Sequence, residues 1–334
     1  MEENRVRPWL GFFPLFAALA LPAAAAPAAP AGYVRADGAL QIVGWSDLRG
    51  AMERVDGLYA SAHPGTRFAY ESANSLASLY CLTFDATAFA PVSAEFLAGA
   101  RGAYAIEVKA EPFGIRIAHA SLRPGAKLSP FAIVVNRRNP LDHLTTGQVS
   151  RIFTAGASPR DLTHWGQAGL DGAWARREIH PCGLPASDHY PAEDETFAET
   201  MFVHRLAGGT PAQRYAAQPD YASVLAAVAA DAGAIGITTL NRLSPEVKVV
   251  AISGGPWAAP SRGTAEDIVA GRYPYDRYLY LYIRRRPGET LPPLQRDYLR
   301  LILSPPGQAA IAGEAHGYLP LNPVEVGEEL AKLE

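Results

Sequence analysis

The stretch Leu40-Gln41-Ile42-Val43-Gly44-Trp45-Ser46-Asp47-Leu48, continuing through Met52 and Val55 to Tyr59, decides the fold class. Leu40 to Val43 is an apolar run of strand length, closed by Gly44. Leu48, Met52, Val55 and Tyr59 then recur at helical spacing and make one apolar stripe. Ser46 or Asp47 stands where a helix N-cap is needed. Strand, polar turn and helix are the first half of a βαβ unit, and the rhythm repeats. His63-Pro64-Gly65 stops the helix, Thr66 to Tyr70 reads as a strand, and Ser72 to Ser75 as a polar loop. Leu76, Leu79, Tyr80 and Thr83 mark a second helix, and Ala88 to Val92 and Ile115 to Ala118 two further strands. Such alternation predicts an α/β fold with mostly parallel sheets and helices on both faces.

The same signals continue downstream. Phe131 to Val135 is an unbroken apolar strand ended by Asn136. Thr145 with Gln148 forms a capping box ahead of Val149 and Ile152. Ala155 to Gly172 reads as a Gly-rich loop enclosing Trp165, Glu178 to Pro181 as a short strand, and Thr196 to Ala207 as a helix stopped at Gly208-Gly209. Asp220 and Thr264 are N-cap candidates, and Ser304-Pro305 has the order that suits a helix start. Ala234 to Thr238 and Tyr278 to Ile283 are strands, with the helical spacing of Leu294, Tyr298, Leu301 and Ile302 between the last strand and Ser304.

A chain of 334 residues with 49% hydrophobic and 19% charged residues can build two packed lobes. A net charge of −3 without a Lys/Arg block argues against nucleic acid or an anionic membrane surface as partner. Arg5 and Arg7, the apolar run Trp9 to Leu21 and the small residues Pro22 to Ala26 follow the order of a cleavable secretory signal at residues 1–26. Residues 27–39 then read as a linker, and the mature protein is expected in the periplasm. Only Cys81 and Cys182 are present, and an oxidising compartment permits, without requiring, a disulfide between them.

No Gly-x-Ser-x-Gly, P-loop, dinucleotide fingerprint or His-Glu-x-x-His occurs, so the commonest enzyme signatures are missing. What remains is a series of strand-to-helix turns rich in small polar residues. Trp45, Ser46 and Asp47 form one, Ser72, Asn74 and Ser75 a second, Ser93 belongs to a third, and Ser187, Asp188 and His189 to a fourth. In open α/β sheets ligands sit beyond the carboxyl ends of the strands, where helix N-termini offer free N–H groups. These ten residues are therefore the candidate ligand set. Two other readings stay open. His180, Cys182, Asp188 and His189, with Glu193 nearby, carry metal-ligating atoms at a spacing that matches no standard zinc pattern. Ser46 with Asp47, or Ser187 with Asp188 and His189, holds parts of a secreted hydrolase. No cofactor is called for.

Six stretches resemble the phosphate-binding family of periplasmic ABC-transporter solute-binding proteins. They are Phe113-Gly114-Ile115-Arg116-Ile117-Ala118; Phe131 to Asn136 with Asn139-Pro140-Leu141; Asp231 to Gly236; Gly271 to Tyr275; Tyr278 to Tyr282; and Gly317-Tyr318-Leu319-Pro320. The resemblance implies a two-lobed periplasmic-binding-protein-like fold with hinge strands. Lobe one is then 40–126 plus 277–325, and lobe two 127–276. It also implies a solute in the cleft, a membrane permease as partner and a monomeric receptor. The ligand motifs depart from the family. Its Gly-Ser-Gly-Thr falls on Ser72-Ala73-Asn74-Ser75, its carboxylate on Ala88 and a basic residue on Ala94. Its Arg falls on Leu184, ahead of Ser187-Asp188-His189. Loss of a guanidinium that would grip an oxyanion argues against the family's phosphate recognition unless Arg116, Arg123 or Lys127 compensates, and the sequence places those three on the surface. Another solute, or a role as a non-transport envelope component, stays open.

Overall fold

The computed structural model describes residues 31–156, 161–186, 193–206, 209–254 and 257–334. The proposed signal, residues 27–30 of the linker, and Ser187, Asp188, His189, Ala207 and Gly208 lie outside them. Nine α-helices form among the described residues. They are α1 (Arg49–Ala62), α2 (Ser75–Thr83), α3 (Ala98–Glu107), α4 (Thr146–Phe153), α5 (Tyr221–Ala230), α6 (Ala265–Val269), α7 (Pro293–Leu303), α8 (Pro305–Ala312) and α9 (Pro323–Ala331).

The opening strand is Leu40–Trp45, paired in parallel with Phe68–Ala73. The stripe of α1 does what its spacing predicts. Met52 and Val55 are fully buried and Tyr59 nearly so, each contributing about 1.5–3 kcal/mol by leaving water. A 3-10 turn over Ser46–Leu48 precedes α1, so Leu48 is its N-cap and neither Ser46 nor Asp47 caps it. Beside this pair runs a four-stranded antiparallel sheet in the order Tyr318–Leu319, Phe113–Ser121, Tyr278–Ile283, Ala90–Val92. Most of these elements share one core built on Ile42, Phe89, Ile115, Leu279 and Tyr298, while Ala90 and Val92 pack in a neighbouring cluster with Leu79, Leu82 and Tyr104.

The second lobe centres on a five-stranded sheet in the order Ala216–Ala217, His180–Gly183, Ala234–Thr239, Phe131–Asn136, Val247–Val249. Its first three strands are parallel, and Phe131–Asn136 runs antiparallel to both of its neighbours. Its core joins Phe131, Ile133, Trp165, Phe197, Tyr221 and Tyr275. The sheets are thus mixed, with fewer parallel pairs than the βαβ rhythm predicts. The long strands Phe113–Ser121 and Tyr278–Ile283 pair antiparallel. Several local signals hold: both halves of the Thr145 capping box form, and Asp220, Thr264 and Ser304 each cap their helix. The helix expected from Thr196 is instead a π-helix, Ala198–Arg205, in which the Leu206 amide donates five residues back to Met201 at 2.8 Å. π-helices are rare, and most occur as single-turn bulges within α-helices.

A buried ionic cluster ties the Phe113–Ser121 strand, the residue Asp276 ahead of the Tyr278–Ile283 strand, and α9 together. His119 is fully buried, 2.6 Å from Asp276 and 3.0 Å from Glu325, and the Tyr278 hydroxyl donates to the other Glu325 oxygen at 2.7 Å. Burial opposes the charged ring, but the hydrogen bonds and charges of Asp276 and Glu325 outweigh it and hold the His119 pKa up at about 9.

Candidate functional site

Gly44 is required where the first strand ends. A Cβ there would overlap the Tyr70 hydroxyl and Pro91. The open space lets Tyr70 donate to the Trp45 carbonyl at 2.8 Å, which helps hold Trp45 at the strand's carboxyl end. The second turn is built by helix capping. Asn74 accepts from the Ala77 amide at 2.7 Å and sets the start of α2, so Ser75 becomes its first residue. The Ser75 hydroxyl is 3.1 Å from the Ser93 hydroxyl, and both residues are buried. Ser75 thereby ties the second polar turn to the third.

These turns open on a cleft of about 310 Å³. One wall carries Trp45, Ser46, Ala73, Asn74 and Ser93. Lys127, Leu128 and Arg277 add to the lining, and a further part of it is the acidic run Glu193-Asp194-Glu195. Four candidate residues, Trp45, Ser46, Asn74 and Ser93, thus line one space. Ser75 backs it through its amide and hydroxyl. Asp47 lies just behind, accepting from Lys127 Nζ at 2.9 Å, with His316 Nε2 at 3.6 Å. Ser72 does not line the cleft; its hydroxyl accepts from Arg49 Nε at 3.3 Å on the exposed side.

The strongest polar contact of the cleft was not among the candidates. Arg277 is 2% exposed, and its guanidinium donates to both Asp194 oxygens at 2.6 and 3.2 Å and to Thr196 Oγ1 at 2.7 Å. It also stacks 4.4 Å from the centre of the Phe131 ring. Burial alone would raise the Asp194 pKa; the charge and hydrogen bonds of Arg277 outweigh that and hold it below the ordinary carboxylate value. The Tyr221 hydroxyl donates to Asp194 at 3.1 Å. A buried guanidinium is therefore present although Leu184 lies fully in the core. The only signal in the sequence was the Asp276-Arg277 pair before an apolar strand.

Carboxylates from the same stretch cap three helices. Glu195 Oε1 accepts from the Ser75 amide of α2 at 2.9 Å. Glu193 Oε2 accepts from the Tyr221 amide of α5 at 3.0 Å while pairing with Arg242. Glu199, in the π-helix, accepts from the Ala98 amide at the start of α3 at 2.8 and 3.0 Å. Each places negative charge where the helix dipole favours it. Glu195 and Glu199 thereby join the two lobes, as does Arg205 to Glu95 at 3.1 Å.

Of the basic residues considered as replacements, only Lys127 reaches the cleft, with its side chain 61% exposed. Arg116 is not a surface residue; it is paired with Glu328 at 2.6 Å and Glu329 at 2.5 Å. Arg123 donates to the Ala315 carbonyl at 3.0 Å on the exposed side. Ala88 and Ala94 are buried core residues. Of the metal-ligating set, His180 pairs with Asp231 at 2.5 Å, whereas Cys182 packs among Val134, Val224 and Val228. Among the described residues no cluster of three such ligands forms. Cys81 and Cys182 are both free.

A family model for the PBP superfamily domain matches residues 24–306. The phosphate-binding protein PstS of Pseudomonas aeruginosa is 29% identical over 317 residues, spanning 93% of this chain and 92% of its own length. The ABC-type phosphate transport receptor from Vibrio cholerae shares the fold at a TM-score of 0.54 and 17% identity, over 84% of this chain and 98% of that one. PstS from Borrelia burgdorferi does so at 0.55 and 13%, with the same coverage. Because the family model extends over well more than half of its length, this chain belongs to the PBP superfamily.

Proposed function

We propose that this protein is the receptor of a periplasmic ABC importer and that it binds a small oxyanion of the phosphate class between its lobes. One observation carries the reading. Ser46, Asn74, Ser93, Lys127 and Arg277 line one cleft, and the Ser75 amide at the start of α2, just behind Asn74 and Ser93, already receives a carboxylate oxygen of the cleft-lining Glu195 at 2.9 Å. A helix N-terminus flanked by neutral hydroxyl donors suits a tetrahedral oxyanion. Ser46, Ser93, Lys127 and the Ser75 amide would contact the solute, Asn74 would hold the turn, and Trp45 would wall the cleft. Arg277 would supply positive potential from behind Asp194. The similar Pseudomonas protein is a phosphate-binding protein and the Vibrio one a phosphate transport receptor, which supports this class.

The activity is capture and hand-over to a permease, without catalysis. We assign residues 1–26 as a cleavable export signal, lobe one to 40–126 plus 277–325 and lobe two to 127–276, with one chain acting alone. Sequencing the mature N-terminus from a periplasmic extract checks the first assignment.

The deciding experiment titrates inorganic phosphate into protein that has been unfolded, washed free of ligand and refolded, following heat and melting temperature. A ligand that binds only the native state adds about 4 kcal/mol of stability at 1,000 times its Kd. Saturable one-site heat with a rising melting temperature is expected. No heat and no shift with millimolar phosphate or sulfate would overturn the oxyanion assignment.

A further inference from the structure

The oxyanion reading leaves one residue of the cleft in direct conflict with a solute. Glu195 lines the cleft and accepts from the Ser75 amide, the first donor of α2, which lies directly after the cleft-lining Asn74. Its companions are neutralised: Glu193 pairs with Arg242, Asp194 with Arg277. Glu195 forms no ion pair among the described residues, and its side chain is exposed. An N–H group bonded to one anion oxygen is not available to a second, and two negative charges at one donor repel.

Resting on the oxyanion reading above, we propose that Glu195 is a built-in competitor for the solute. It occupies the α2 donor in the solute-free protein, and an oxyanion binds by displacing it into solvent, to which it is already open. The competitor sets an affinity threshold. A weakly held monovalent anion gains too little to displace a carboxylate tethered beside its donor, whereas a doubly charged oxyanion that also engages Ser93 and Lys127 gains more. Glu195 is thus the residue that determines specificity, and the neutral donors around it are permissive.

The test is calorimetric titration of inorganic phosphate into the full-length wild type, Glu195→Gln, Glu195→Ala and Glu199→Gln. Glu199 caps α3 away from the cleft lining, so its variant loosens the lobes without freeing the cleft donor. Tightening of phosphate binding by roughly ten- to a hundred-fold in Glu195→Ala is expected, the size of one regained charge-assisted hydrogen bond plus relief of repulsion. Glu195→Gln should fall between it and wild type. The Ser75 amide resonance should move in Glu195→Ala and move again when phosphate is added. Equal phosphate affinity in wild type and Glu195→Ala would overturn the competitor and leave the oxyanion reading intact. An equal gain in Glu199→Gln would also overturn it, as a general loosening of the lobes. Absence of phosphate binding in all four proteins would remove the oxyanion reading and the competitor together.

Discussion

Arg277 and Asp194 form a two-pronged ion pair at 2.6 and 3.2 Å in which both side chains are almost withdrawn from water. The pair joins the segment entering the Tyr278–Ile283 strand to the acidic run facing the cleft. Breaking a buried pair on one side strands the other charge, at a cost of about 3–5 kcal/mol. Arg277→Met should therefore unfold at markedly lower urea concentration than wild type. Adding Asp194→Asn to Arg277→Met should recover a large part of the loss, because the stranded charge is then gone. An additive double variant in urea denaturation would show that the two residues act independently.

His119 predicts the direction of stability with alkaline pH. Its folded pKa, about 9, lies above the ordinary value near 6.5. The contribution is fully present below about 6.5 and is lost as pH rises through about 9. A difference of this size corresponds to roughly 3 kcal/mol. Denaturation midpoints measured from pH 6 to pH 10 should fall over that window in wild type and stay flatter in His119→Gln.

Asp56 lies under the first lobe, where burial raises its pKa to about 7 against the lowering effect of the Tyr298 hydroxyl, which donates to it at 2.7 Å. A raised carboxyl stabilises the fold below its unfolded value, and that stability drains away as pH climbs to about 7. Asp56→Asn keeps an acceptor for Tyr298 and removes the charge. At pH 8 it should be more stable than wild type, on the order of 2–4 kcal/mol, with no gain at pH 4. Paired thermal melts at the two pH values check this.

Asn74 combines a structural and a proposed recognition role. Removing its cap on the Ala77 amide with Asn74→Ala should cost about 1 kcal/mol. The frayed first turn of α2 should also weaken phosphate binding, whereas Asn74→Asp restores the cap but adds a charge at the cleft. Stability retained with affinity lost in Asn74→Asp, measured by melting and calorimetry, is the expected pattern.

What the sequence revealed divides along range of interaction. The Leu40 strand, the α1 stripe and the caps at Thr145, Asp220, Thr264 and Ser304 are written in residues three or four apart, and they appear as read. The candidates Trp45, Ser46, Asn74 and Ser93 were legible because strand-to-helix turns of one βα series converge. Arg277 was not, since its partner Asp194 lies 83 residues away and nothing local marks either as buried. Nothing local marks the acidic run at 193–195 either, because only the folded chain brings helix N-termini to it. Helix α3 is harder to read for another reason: between Leu97 and Val108 its buried face is only Ala100 and Tyr104, set in a stretch rich in Ala and Gly that lacks a side-chain N-cap.

Three helix starts and one buried guanidinium all take their counter-charges from residues 193–199. A single seven-residue stretch thus communicates with both halves of the protein at once. Substitutions within it should be strongly epistatic, since each alters the setting in which the others act. The same concentration gives evolution a short route to new selectivity: rewriting one short stretch can retune the cleft while both scaffolds stay untouched.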